Sequence, residues 1–290
     1  MRVSATYILP LCLLWITTAV AQNSAAPDYS LVWEDTFDGE ALNVAEYWNI
    51  EENGSGGGNH ELQYYSRGNV AVGIEPVSGE SCLILTARKE CLNGKTATSG
   101  RVNTKHKVYA QYGKIEARIK LPSTADGLWP AFWMLGEDIS QEGWPRCGEI
   151  DILEMGHSEG IKNNTQERLF NGACHWGMSY KAHHYDTQDS VASYSLQDGD
   201  FHLYTLEWNA DSIVMYLDKD VHPDVAPYYY MDIAEKSTPD SGGYFFHKPF
   251  FIVLNLAVGG DYPGIYDVEQ ITALSQGDAL MYIDYVRVYQ

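Results

Sequence analysis

The run Cys147-Gly148-Glu149-Ile150-Asp151-Ile152-Leu153-Glu154-Met155-Gly156 constrains this chain more than any other stretch, because it sets three carboxylates into an otherwise apolar segment. Alternating polar and β-branched residues argue for a strand, in which successive side chains point to opposite faces. Glu149 and Asp151 then share one face, and Ile150 and Ile152 the other. Strict alternation would bury Glu154 beside the isoleucines, at a cost of several kcal/mol for an unpaired charge. One extra residue removes the conflict. A β-bulge around Leu153 returns Glu154 to the face of Glu149 and Asp151 and sends Met155 to the core.

Three like charges on one short face repel and raise one another's pKa, so stability alone gives no reason to gather them. Chemistry does. Two carboxyl groups at one glycosidic bond suffice for hydrolysis, one protonated to release the leaving group and one ionised to attack or to activate water. Counted as four strand steps of about 3.3 Å, the bulged run puts the Cα atoms of Glu149 and Glu154 roughly 13 Å apart. Side-chain lean leaves both the ~5 Å retaining separation and the wider inverting one open.

Glu-Ile-Asp-Ile-Leu-Glu resembles the Glu-x-Asp-x-x-Glu signature of glycoside hydrolase family 16 in its laminarinase-like, bulge-containing form. That resemblance implies Glu149 as nucleophile, Glu154 as acid/base and Asp151 as the residue that tunes the nucleophile. It also implies retention of configuration and endo-attack on internal β-1,3-glucosidic bonds of a laminarin-type glucan. A mixed-linkage β-1,3-1,4-glucanase, or a non-catalytic glucan-recognition protein on the same fold, are the competing expectations; the second is disfavoured because both glutamates are present.

The likeness runs from about Leu31 to Gln290. Asn59-His60-Glu61-Leu62-Gln63-Tyr64-Tyr65 is similar to a cleft-rim segment near the family's minus subsites, which makes Asn59 and Glu61 candidate sugar contacts. Ser99-Gly100-Arg101 resembles a segment whose Arg lies near the cleft. In Gly127-Leu128-Trp129-Pro130-Ala131-Phe132-Trp133, strand parity puts Trp129 and Trp133 on one face and Phe132 on the other, and flat indoles suit the apolar faces of pyranose rings. His175, next to Trp176, is expected to orient Asp151 or touch sugar; Asn255, alone in the apolar run Phe250–Gly260, needs partners and is expected to face the cleft. Tyr262-Pro263-Gly264 stands where the family commonly has Trp-Pro-Gly. Some members carry a structural calcium, for which Asp284 is the candidate ligand.

Beyond these motifs the chain has many short strands and Gly/Asn/Asp turns, which predict an all-β sandwich. The resemblance makes it a jelly roll of two antiparallel sheets with a concave glycan-binding cleft. Gly113–Leu121 alternates cleanly and reads as a half-solvated strand, and 202–208 with 212–218 as a hairpin. A formal net charge of -20 excludes nucleic acid as a partner and disfavours anionic polysaccharides. A neutral β-glucan fits, bound by a monomer. Arg2, an apolar run from Tyr7 to Ile16 and Ala19-Val20-Ala21 read as a signal peptide over 1–21, too short to span a membrane, followed by a single catalytic domain over 22–290 and export from the cell. The oxidising compartment makes disulfides an expectation. Cys82 with Cys91 is the simplest pair, while Cys147 and Cys174 either pair across strands or stay as buried thiols.

Overall fold

Alternation is realised most plainly along Gly113–Lys120, where Ile115, Ala117 and Ile119 are buried while Lys114, Arg118 and Lys120 remain partly exposed. The fourth polar residue, Glu116, is buried too and takes an ion pair from Lys114 at 2.8 Å. The expected hairpin forms from His202–Trp208 and Ser212–Leu217. Its turn is closed by Asn209, whose Oδ1 accepts from the backbone N–H groups of Asp211 and Ser212.

This computed structural model describes residues 29–290, so the expected signal peptide lies outside the described residues. Two eight-stranded antiparallel sheets make the sandwich. One, the site sheet, runs in the order His183–Val191, Leu169–Gly177, Glu149–Met155, Leu128–Gly136, Phe250–Val258, Arg101–Asn103, Asn49–Ile50, with Tyr109–Ala110 also on Phe250–Val258. The other centres on Gly113–Lys120 and Ala279–Tyr289. Between them lies a continuous core: Phe132, Met134, Ile150, Ile152, Leu254 and Leu256 from the site sheet meet Leu83, Leu85, Ile115, Tyr204, Leu206 and Ile283 from its partner. Each sheet thus has one face in the core and one available for other work.

The disulfide expectation fails: all four described cysteines are free. Cys82 is buried near the head of the strand Ser81–Ala87, whereas Cys91 is exposed beyond its far end. One thiol is thus sealed in the sheet and the other open to solvent beyond the strand, and the two do not meet. Cys174 points into the sandwich core, whereas Cys147 packs with Leu135, Phe251 and Val253 on the opposite face. The sheet itself separates them.

Candidate active site

Two glycines with positive φ bracket the acidic strand. Gly148 (φ +74) holds a conformation in which a Cβ would lie 2.8 Å from the Phe250 ring, and Gly156 (φ +104) one in which it would meet the Leu128 carbonyl at 2.0 Å. Between them the strand pairs with Leu128–Gly136 in the register Glu149↔Leu135, Asp151↔Trp133, Leu153↔Phe132, Glu154↔Ala131. Ile152 is the extra residue on this side, one position before the expected Leu153. On the other side the ladder to Leu169–Gly177 breaks between Asp151 and Glu154. Ile152 and Leu153 are both fully buried. The bulge therefore does what the sequence requires of it, placing Glu149, Asp151 and Glu154 on one face, with Trp129 and Trp133 on the same face of the next strand.

Each glutamate is held by an indole. Trp144 Nε1 donates to Glu149 Oε2 at 2.9 Å, and Trp129 Nε1 to Glu154 Oε1 at 3.1 Å. Asn171 Nδ2 donates to the other Glu154 oxygen at 3.2 Å, and Tyr262 stacks on Trp129 with ring centroids 4.6 Å apart. Asp151 is 4% exposed, and its Oδ2 finds no hydrogen-bond partner among the described residues. The nearest atoms of Glu149, Asp151 and His175 lie within 4.8 Å of one another.

Burial and then the charge of Glu154 push Glu149 up to about 8, against the pull of Trp144 and Arg101. Asp151 is raised well above the usual carboxylate range by burial, Glu149 and Glu154. Glu154 rises to about 7 through burial, with Asn171 and Trp129 drawing it back. Near neutrality the three do not all ionise, so protons stay within the group and are shared. His175 is held down at about 4 by burial and by His183, and is neutral at that pH. Its Nε2 lies 3.5 Å from Asp151 Oδ2 and its Nδ1 2.9 Å from His183 Nε2.

Of the other sequence candidates, Trp129, Trp133, Arg101, His175 and Asn255 come together on the site sheet. Trp133 Nε1 donates to Asn255 Oδ1 at 2.7 Å, which supplies the partner that a buried amide needs. Arg101 lies over the Trp133 ring at 4.8 Å and pairs with Glu51 at 3.0 Å. The rim loop behaves differently. Glu61 is buried and accepts from Gln63, Tyr65 and Asn59, so its carboxylate ties the loop down instead of facing outward. Asp284 sits on the opposite sheet and accepts from Arg118 at 2.6 Å. Asp284 thus lies apart from the carboxyl site, its charge met by Arg118. Sequence reasoning missed Trp144, Asn171 and His183. Asn171 was reachable by counting back from His175 in steps of two, since both occupy one face of the strand Leu169–Gly177.

A paired-carboxyl site on the open face of a β-sandwich is that of a glycoside hydrolase. The family model for "Glycosyl hydrolases family 16" matches residues 61–232, and the chain belongs to that family. It is 34% identical over 97% of its length to the clotting factor G alpha subunit of Tachypleus tridentatus, of which it spans 37%. It is 33% identical to the β-glucanase of Rhodothermus marinus, covering 93% of this chain and 88% of that protein. Among solved structures, the family 16 protein of the Bacteroides ovatus mixed-linkage glucan system, in complex with an oligosaccharide product, superposes with a TM-score of 0.78 at 38% identity, over 89% of this chain and all of that one. The catalytic domain of the Thermotoga petrophila laminarinase gives 0.73 at 35%, over 91% of this chain and 99% of the other. These likenesses establish the jelly roll expected from the sequence.

Proposed function

We propose that this protein is an exported, endo-acting β-glucanase that cleaves internal β-1,3-glucosidic bonds of laminarin-type glucans with retention of configuration. One observation carries the reading: a bulge at Ile152 brings two glutamates, each held by an indole N–H, onto one open face with a proton-sharing aspartate between them. Protonated Glu154 donates to the glycosidic oxygen as Glu149 attacks the anomeric carbon; water, deprotonated by Glu154, then cleaves the glycosyl-enzyme. Asp151 holds a proton against Glu149, which prevents two adjacent charges from coexisting while the nucleophile is ionised. Export rests on the character of residues 1–21 alone.

A mixed-linkage β-1,3-1,4-glucanase is the second reading, favoured by the 38% identity to the Bacteroides ovatus protein. Sulfated or otherwise anionic glycans fit poorly with the net charge of -20. Product analysis on laminarin, barley β-glucan, agarose and carrageenan side by side tests both: release of oligosaccharides from laminarin supports the first, release from barley β-glucan alone replaces it with the second, and release from neither glucan overturns both. Proton NMR of the first products checks retention.

A further inference from the structure

The acidic strand is not the edge of its sheet. Two more strands lie beyond it, and the register carries one cross-strand row from Glu149 to His175 to Tyr185, the last on the edge strand His183–Val191. Neighbouring strands are about 4.8 Å apart, so Tyr185 stands roughly 10 Å across the sheet from the acidic strand, on the same face. It is 66% exposed, and Tyr180, on the turn just before the edge strand, is 78% exposed. Neither is isolated. Tyr180 lies 5.6 Å from the Trp144 ring, Trp144 lies 4.7 Å from His183, and His183 lies 5.7 Å from Tyr185. The result is an unbroken aromatic path from the indole that holds Glu149 to the sheet edge.

Exposed tyrosines gain nothing for the fold by lying open, whereas flat rings continuous with a glycan cleft suit the apolar faces of pyranose rings. Resting on the β-glucanase reading, we propose that Tyr185 and Tyr180 form a further subsite, which binds a glucose unit of the β-glucan where the chain leaves the cleft over the edge strand. The neutral His175 beside it adds no charge that would require a charged sugar.

The test is titration calorimetry of the hydrolytically silent Glu149→Gln protein with β-1,3- and mixed-linkage gluco-oligosaccharides, from trisaccharide to heptasaccharide. Affinity should climb with length; with Tyr185→Ala added it should stop climbing earlier, leaving the longest oligomers about three- to tenfold weaker and the shortest unchanged. Tyr185→Phe, which keeps the ring face, should retain most of the gain, and the melting temperature should not move. An unchanged length dependence, or equal weakening at every length, would overturn the subsite while leaving the glucanase reading intact. Binding of no β-glucan at any length would remove that reading and the subsite with it.

Discussion

Glu75 and Asp151 are both acids sealed from solvent, at 2% and 4% exposure, yet the two sheets treat them in opposite ways. Glu75, at the end of the strand Val70–Ile74, accepts from Lys120 at 2.9 Å and from the backbone N–H groups of Val77 and Ser78. Burial alone would raise it, but these partners outweigh burial and hold it at about 2. The same sheet gives Glu116 a lysine and Asp284 an arginine. Asp151 has no cation in contact, only the neutral His175 imidazole 3.5 Å away, and its nearest charges are two more carboxylates. These three acids of the opposite sheet each meet a cation, whereas Asp151 meets none. On the proposed function, the difference separates acids that hold the structure together from those kept for proton transfer.

Substitutions that remove one acid at a time should separate these roles. Glu149→Gln should lower turnover on β-glucan by about 10³-fold or more, because it removes the proposed nucleophile while keeping the Trp144 hydrogen bond; initial rates on laminarin check this. Asp151→Asn keeps a donor of similar shape but cannot exchange a proton, so turnover should fall about tenfold or more, less than for Glu149→Gln, with the acidic limb of the pH profile displaced. A profile superimposable on wild type would make Asp151 a bystander.

On the other sheet the pattern should reverse. Glu75→Gln should leave turnover near wild type but cost about 2–4 kcal/mol of stability, since Lys120 loses its partner. The sign follows from a lowered pKa: Glu75 stabilises the fold above the unfolded carboxylate pKa of 4.5, and that contribution is lost as pH falls toward about 2. Denaturant melts of the two proteins should therefore converge on acidification. The smallest effect belongs to Asp189, which lies in register with Asn171 and hence with Glu154, and whose charge helps raise Glu154. Asp189→Asn should move the alkaline limb of kcat/KM down by roughly a few tenths of a pH unit, less at high salt.

Period-two alternation made much of this legible beforehand. It gave the strands at Gly113–Lys120 and Leu128–Gly136, the shared face of Trp129 and Trp133, and, through the conflict at Glu154, the bulge itself. What stayed hidden depended on loops and on distant partners. Trp144 reaches Glu149 from a turn whose path no periodicity encodes, and His183 matters only because its strand lies beside that of His175. Glu61 looked like a rim carboxylate, but three side chains on its own segment turn it inward. The disulfide expectation failed because it was argued from compartment, while burial and sheet sidedness decide which thiols meet.

The cleft face keeps buried carboxyls raised above their ordinary range at the expense of stability, and the pH dependence of unfolding in wild type and Glu149→Gln tests this most directly. A carboxyl raised in the folded state binds its proton more tightly there than in the unfolded chain. The contribution of the protons this cluster shares is therefore full below the unfolded pKa of 4.5 and declines as pH rises toward about 8. The slope is about 1.4 kcal/mol per pH unit for each proton retained. Glu149→Gln removes one such group, so it should match wild type near pH 4 and become progressively more stable than wild type up to pH 8, while hydrolysing no glucan. A variant equally or less stable than wild type across that range, or one that still turns over substrate, would contradict the account.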